Sequence, residues 1–340
     1  MERLKTGVLG LNENGLLLLQ AASELDCFVI EAVADKDTRR ADTLAAQYNC
    51  AAYDDYRQFI IQNQFDCLLI AAGLHNCDEY VRAAIRKKTH ILKLAPPARN
   101  FEEAVELLNL TETNRVNFAA AVPLRFCESF QKLAKLLEQN RLGEVFLITG
   151  WVKGHQQFPA WRNDRRLAGG GILLYECYEL IEQMISSYAV PEKVYALATS
   201  EAADRQKRCY LTEDVTAVSM KFSETCFGNL VAINRKELGP ERVSLTVYGT
   251  KKTVEATRKR FVLKNRSGRT EQEAVYENDR KYCFGRALEN FALAISNPDK
   301  YKHTNSLRKE LESIAVIDSA YLSARTGFPE EPLNLLQIES

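Results

Sequence analysis

Lys5-Thr-Gly-Val-Leu-Gly-Leu-Asn-Glu-Asn-Gly15 runs an apolar strand directly into a turn bounded by two glycines, and a helical pattern, Asn14–Leu25, leaves that turn at once. A second apolar run, Phe28–Ala34, follows and ends on Asp35. Strand, tight turn, helix and strand in this order make the unit of a parallel sheet, because parallel neighbours need a long crossover between them. The alternation continues through Thr38–Tyr48, Cys67–Ala71, Cys77–Lys87, His90–Leu94, Phe101–Thr113 and Asn117–Ala121. Continuous apolar strands separated by amphipathic helices mean a sheet covered on both faces. The expected fold is α/β, with a doubly wound parallel sheet over residues 1–122.

The pattern changes after Pro123. Helices over about Ser129–Asn140 and Gly170–Ser187 flank a strand at Glu144–Lys153. Between Glu192 and Tyr276 lie alternating runs rich in β-branched residues: VYALATS, DVTAVSMKF, GNLVAINRKEL and RVSLTVYG. They predict a large, mostly antiparallel open sheet with one face packed on helices. Helices near Tyr282–Ser296 and Ser306–Thr326 close an α+β domain over residues 123–340.

The chain has 340 residues, enough for two ordinary domains with cores of their own. Lys and Arg together number 45, as do Asp and Glu, so it lacks the one-sign surface that a nucleic acid or an acidic membrane attracts. No apolar run is long enough to span a bilayer, and Leu16–Leu19 reads as a patch on a core helix. The N-terminus enters a strand almost at once, so no secretory signal is expected. Nine cysteines, Cys209 among them, form no C-x-x-C pair, and His75, His90, His155 and His303 are dispersed. That pattern predicts buried thiols in a reducing, cytoplasmic setting, with no disulfide frame and no protein-held metal.

Gly10-Leu-Asn-Glu-Asn-Gly15 stands where a strand–turn–helix unit carries G-x-G-x-x-G. The first Gly makes the turn, the third brings helix and strand together, and the middle one admits a pyrophosphate to the amides at the helix N-terminus. Here the middle position is Asn12, whose side chain occupies space near the phosphates while tolerating left-handed backbone angles. Asp35 is positioned to bond the adenosine ribose hydroxyls, which favours NAD, while Lys36, Arg39 and Arg40 offer partners for the 2′-phosphate of NADP. Gly10, Asn12, Glu13, Asn14, Gly15, Asp35, Lys36 and Arg39 are the candidate dinucleotide residues, against the alternative of a plain strand–helix turn followed by a solvated acid.

Trp161–Glu182, WRNDRRLAGGGILLYECYELIE, resembles the second signature of the glucose–fructose oxidoreductase/inositol dehydrogenase/MocA family, W-R…A-G-G-G-x-L-x-D-x-G-x-H. His90–Ala104 resembles its H-V-L-C-E-K-P-L-A-x-N-x-E-E-A. Arg125-Phe126, Leu142–Val145, Thr212–Val215, Val247–Thr250 and Ser323–Gly327 match further family strings in the same order, over essentially the whole chain. The resemblance implies a Rossmann domain followed by the α+β domain, and an NAD(P)-dependent oxidoreductase exchanging hydride with a sugar-like or cyclitol-like alcohol or carbonyl. It also implies a homodimer or homotetramer built through the C-terminal sheet.

Against the family pattern, Asp falls on Tyr175, the small Gly on Cys177, His on Glu179, the Glu-Lys of E-K-P on Leu94-Ala95, and Thr-Pro-Asn after the fourth strand on Ala71-Ala72-Gly73. His75 beyond that edge reads as a loop residue. Ala72, Gly73 and Pro96 complete the candidate cofactor edge. Lys93 shares a strand face with Ala95 at about 6.5 Å along the strand, although a lysine there ordinarily ends in solvent. A phenol near its usual pKa of about 10 handles protons when a cation stabilises its anion. The candidate catalytic group is therefore Tyr175, with Lys93 as cation and Glu179, one turn on, as orienting acid; the plainer alternative is a packed tyrosine with its hydroxyl satisfied. Arg162 and Arg125 are candidate substrate anchors. The replacements equally fit a dinucleotide-binding sensor or partner protein without turnover, or a chain that has exchanged the dinucleotide for another small molecule.

Overall fold

The computed structural model describes residues 3–154, 159–200, 211–234, 242–277, 279–301 and 303–337. His155, Cys209 and the Arg235–Leu238 end of the third alternating run lie outside the described residues. The chain divides into two compact units.

The first unit takes Met1–Ala98, Glu102–Pro123 and Asp279–Glu310. Its six parallel strands are β1 (Leu4–Leu9), β2 (Phe28–Ala34), β3 (Ala51–Tyr53), β4 (Cys67–Ile70), β5 (His90–Leu94) and β6 (Phe118–Ala121), in spatial order β3-β2-β1-β4-β5-β6. Every residue of β4 is buried, as a central parallel strand covered on both faces requires. The crossovers include α1 (Glu13–Ser23), α2 (Thr38–Tyr48), α3 (Tyr56–Gln62), α4 (Leu74–Arg86) and α5 (Phe101–Asn114). Leu18 and Leu19 of α1 are fully buried, as the Leu16–Leu19 patch predicts. α4 begins at Leu74 rather than Cys77, so His75 is helical and not a loop residue. Asn305 and Ser306 lie against β6: the Ala120 amide donates to the Asn305 carbonyl at 2.9 Å, and Ala119 bridges Ser306.

The second unit takes Arg99–Phe101, Leu124–Asn278 and Leu311–Ser340. Its eight strands are β7 (Val145–Gly154), β8 (Lys193–Thr199), β9 (Val215–Lys221), β10 (Phe227–Asn234), β11 (Arg242–Gly249), β12 (Lys252–Thr257), β13 (Arg260–Asn265) and β14 (Thr270–Val275). They lie in the order β14-β13-β12-β11-β7-β10-β9-β8, antiparallel except for the parallel β7–β10 pair. On one face Ile148, Val152, Val218, Met220, Leu230, Ala232, Leu245 and Val254 are buried. α6 (Glu128–Glu138) packs against β12 and β13 on this unit.

The single helix expected over Gly170–Ser187 is broken. α7 (Arg165–Ala168) and α8 (Ile172–Tyr175) are single turns, and α9 starts afresh at Tyr178 and runs to Ser187. The Ile172 carbonyl accepts both the Glu176 and the Cys177 amides at 3.0 Å, a local slip from the i+4 to the i+5 spacing. Tyr175 and Glu179 are therefore not one regular turn apart. The later part of the chain carries α10 (Arg280–Ser296), α11 (Leu307–Thr326) and α12 (Pro332–Gln337). Among the described residues no helix is long and apolar enough to cross a membrane.

Candidate functional site

In the first unit the strand order reverses between β1 and β4, and open α/β sheets bind ligands at the carboxyl ends beside such a reversal. Gly10, with φ +89°, ends β1; a methyl group there would lie 2.4 Å from the Ala72 amide nitrogen. A methyl on Gly15 would lie 2.1 Å from the Gly10 carbonyl oxygen. Both positions exclude any larger residue. Asn12 does not use left-handed angles: its φ is −65° and ψ 180°, ordinary extended backbone at the cap of α1. Its Oδ1 accepts the Gly15 amide at 3.0 Å and its Nδ2 donates to the Ala71 carbonyl at 2.7 Å. The side chain thereby does the turn's own work of capping the helix and tying it to the end of β4. The first-turn amides of Glu13 and Asn14 have no acceptor within the helix and sit at its positive end, where an anion is favoured.

Asp35 is buried at the end of β2, where its Oδ2 accepts the Leu11 amide at 2.6 Å and its Oδ1 the Asp37 amide at 2.9 Å. A carboxylate has about four lone-pair sites, so this anchoring leaves acceptors for ribose hydroxyls. Of the nearby cations, Arg40 is the one that reaches it, at 3.6 Å. Lys36 Nζ lies instead 4.6 Å from the centroid of the Tyr56 ring, and Arg39 is exposed on the first turn of α2. Gly73 caps α4, Ala71 and Ala72 donate to the Leu9 carbonyl, and Pro96 is buried after a cis Ala95–Pro96 peptide. Glycine turn, helix N-terminus and anchored acid together fit a dinucleotide. The structure thus brings Gly10, Asn12, Gly15, Asp35 and Ala72 together as one crevice edge.

Lys93 does not end in solvent. It is 3% exposed on β5 between Ile70 and Ala120, and its Nζ donates to the Pro97 carbonyl at 2.9 Å. The turn after β5 folds back over the strand end and supplies that carbonyl, which periodicity along the strand alone does not reveal.

In the second unit the motif residues form a cluster of side chains. The Arg162 guanidinium carbon lies 3.8 Å from the centroid of the Tyr175 ring, and the Trp161 ring meets the same ring edge-on at 6.1 Å. Arg162 Nη2 donates to both oxygens of Glu176, at 2.9 and 3.2 Å. The Tyr175 hydroxyl donates to the Ala168 carbonyl at 2.8 Å. Burial pushes the Glu176 carboxyl up to about 7, with the Arg162 charge opposing the rise and Glu213 adding to it. Burial also raises the Glu213 carboxyl, which accepts the Gly171 and Leu173 amides and the Tyr321 hydroxyl, the last at 2.8 Å. Glu179 is buried, accepts the Leu124 amide at 3.0 Å and lies 3.7 Å from Arg258. Arg125 is ion-paired with Glu182.

Both arginines read as anchors are thus held by acids of their own unit. Glu176, Glu213 and Tyr321 were not singled out by the sequence. Glu213 lay in a string that carried only family likeness. The pairing of Glu176 with Arg162 has no local spacing to betray it, because a turn, α7 and α8 intervene. Among the described residues no group of His, Cys, Asp and Glu side chains is arranged to hold a metal ion.

The chain belongs to the glucose–fructose oxidoreductase/inositol dehydrogenase/MocA oxidoreductase family. The model for the family's NAD-binding Rossmann fold matches residues 4–121, and the model for its C-terminal alpha/beta domain matches residues 134–331. The first unit is accordingly an NAD(P)-binding Rossmann domain. A scyllo-inositol 2-dehydrogenase (NADP(+)) of Bacillus subtilis is 22% identical over 341 residues, covering 96% of this chain and 99% of that protein. A D-xylose 1-dehydrogenase (NADP(+)) of Haloferax volcanii is 25% identical over 346 residues, covering 94% and 97%. Among solved structures, a dehydrogenase of Bordetella pertussis in complex with NADH and UDP-GlcNAcA superimposes with a TM-score of 0.81 at 17% identity, covering 97% of this chain and 99% of that one. That likeness is one of fold.

Proposed function

We propose that this family member is an NAD(P)-dependent oxidoreductase that exchanges hydride with a sugar-like or cyclitol-like alcohol or carbonyl. The observation that carries the reading is the match to a cyclitol and a pentose dehydrogenase over nearly the full length of all three chains. The crevice supports it. Gly10, Asn12, Gly15, Asp35, Ala72, Gly73 and Pro96 hold the dinucleotide, with the amides of Glu13 and Asn14 on the pyrophosphate and Lys36, Arg39 and Arg40 beside the adenosine ribose. Asp35 favours NAD, since a 2′-phosphate would meet its charge, and Arg40 softens that preference. When bound, the nicotinamide supplies the carbon that gives or takes the hydride.

In this reading Tyr175 is the proton-handling group. Its phenol donates to a substrate carbonyl oxygen in reduction and accepts from the alcohol in oxidation, and Arg162 over the ring stabilises the phenolate. Lys93 holds the Pro97 carbonyl at the end of β5. Glu179 fixes the chain at Leu124, and Arg125 and Arg162 border the substrate.

The same proposal includes a homodimer or homotetramer through the outer face of the eight-stranded sheet. Leu197, Ala217, Val231 and Trp151 align across β8, β9, β10 and β7, with Phe227 and Leu147 paired in a second row. Leu197 is 60% and Phe227 54% exposed, and contiguous apolar faces of this kind mark interaction sites. A Trp151→Glu/Leu197→Glu chain should sediment as a monomer. The free thiols, Cys67 and Cys177 among them, support a cytoplasmic setting.

The test is a thermal shift with NAD(H) and NADP(H), followed by an absorbance screen of polyols, sugars and cyclitols. A nucleotide shift with turnover that Tyr175→Phe abolishes is expected. No shift with any nucleotide overturns the reading, and a shift with no turnover across the panel favours a sensor.

A further inference from the structure

We infer that Glu176 is a positioning residue that clamps Arg162 face-on to the Tyr175 ring, so that the cluster keeps one negative charge opposite the guanidinium, on Glu176 or on Tyr175. The inference rests on the reading of Tyr175 as the proton-handling group, and it assigns a role to a position that the family's D-x-G-x-H signature leaves open.

The backbone of Arg162 is fixed independently of its side chain. It lies in the 3-10 turn Ala160–Asn163, where its carbonyl accepts the Thr212 hydroxyl at 2.7 Å while the Thr212 amide donates to the Asn163 carbonyl at 3.2 Å. A guanidinium on its long, flexible stem still has several rotamers. Here one is selected by a single nitrogen shared between both Glu176 oxygens and by the aromatic face below it. Tyr175 is confined in turn by the Trp161 edge and by its hydrogen bond to the Ala168 carbonyl. The side chains of Arg162 and Glu176 are 11% and 19% exposed, so their attraction is only partly screened by water. The slip of the helix ladder at Ile172 sets Tyr175 and Glu176 just before the break between α8 and α9.

The other charged and titratable groups of the cluster are few. Glu213 repels Glu176 and is itself held by the Gly171 and Leu173 amides and Tyr321, with Arg165 over the Tyr321 ring at 5.7 Å. Cys177 beside Glu176 is a buried thiol whose pKa burial raises well above its usual value, so it stays neutral. Among the described residues Arg162 is the cation ion-paired with Glu176, and in this inference two acids, Glu176 and Tyr175, share it. When Tyr175 gives its hydroxyl proton to a substrate oxygen, the phenolate takes the guanidinium as counter-ion and Glu176 binds a proton from solvent. In the reverse direction Tyr175 regains a proton from the substrate alcohol and Glu176 releases its own. Burial brings the Glu176 carboxyl up to about 7, so this carboxyl takes or releases its proton within neutral conditions.

The test needs no turnover. The protein is labelled with ring-13C tyrosine, the Tyr175 signal is identified by its loss in Tyr175→Phe, and it is followed through a pH titration in wild type and Glu176→Gln. The expected result is a step in the Tyr175 signal near neutral pH that Glu176→Gln removes while the other tyrosine signals stay in place. A wild-type signal without the step, or a step that survives in Glu176→Gln, overturns the inference. Should Glu176→Gln fail to fold, Arg162→Lys serves instead: it keeps the charge but not the planar contact, and must also lose the step. If the substrate screen finds turnover, Glu176→Gln should displace the pH limb of kcat while leaving KM in place. If the screen finds none, the proposed function falls while the titration still decides the role of Glu176.

Discussion

At the carboxyl ends of β1 and β4 the groups offered to a ligand are mostly main chain: the turn at Gly10, the first amides of α1 and the cap of α4. Side chains such as Asn12 and Asp35 work there by gripping that backbone. In the second unit, the cluster from Trp161 to Glu213 is the reverse, a set of rings, guanidinium and carboxylates positioned by one another. A main-chain site tolerates exchange of side chains as long as its close approaches stay open, so Asn12 can stand where a glycine is usual. A side-chain site changes its chemistry with each exchange, because every group in it depends on its neighbours for position.

The sharpest way to break this contrast is Gly10→Ala. The added methyl meets main-chain atoms of Ala72 and forces a left-handed residue, a penalty on the order of 3 kcal/mol. Calorimetry should show that loss, and the nucleotide-dependent stabilisation, about 2.7 kcal/mol at a hundredfold excess over Kd, should disappear with it. Arg162→Ala should cost up to about 3 kcal/mol by stranding a largely buried carboxylate, with nucleotide affinity unchanged. Its loss should depend on pH in a defined direction. The Glu176 carboxyl is raised from its ordinary 4.5 to about 7, so the folded chain holds that proton more tightly than the unfolded chain between those values. Its contribution is therefore most favourable in acid and declines as pH rises from about 4.5 to about 7. Without Arg162 the decline continues to higher pH, and urea melts at mildly acidic and mildly alkaline pH should separate the variant from wild type far more in alkali.

Tyr321→Phe removes the hydroxyl that donates to Glu213 and accepts from the Gly171 amide at 3.2 Å. A loss of about 1–2 kcal/mol is expected by denaturant titration, again without effect on nucleotide binding. The smallest effect is Asp35→Asn, which keeps an acceptor for the neighbouring amides but discharges the carboxylate beside Arg40. Fluorescence titration should show NADPH gaining on NADH by about tenfold, or about 1.4 kcal/mol.

How much of this was readable beforehand depends on the range of the forces involved. The strands from β1 to β6, apart from β3, announce themselves as apolar runs, and α1 and α2 as the helical patterns between them, because local pattern decides them. Ala51–Tyr53 is too short to carry a pattern and is a strand only because β2 lies beside it. The two glycines and Asp35 were legible as a tight turn with an acid beside it, since turn geometry restricts residue type. The burial of Lys93 was not, because a turn folding back from Pro97 supplies its acceptor. Nor was the break after Tyr175, where every residue in the stretch suits a helix and the slip shows only in the hydrogen bonding. The Arg162–Glu176 pair joins two segments whose separation no helical or strand period matches.

The return of residues 279–310 to the first unit has a consequence for synthesis. Phe284, Leu288, Phe291 and Ala292 of α10 pack into the same core as Leu4, Leu18, Leu19 and Ala22. When β6 leaves the ribosome, the sheet and α1 therefore still lack one wall, and the whole second sheet must be translated before α10 arrives. Until then a strip of leucine and alanine stays open to solvent, in the interval when chaperone capture or aggregation competes with folding. A chain stopped after Pro123 should be poorly soluble, and adding residues 279–310 as a separate peptide should rescue it.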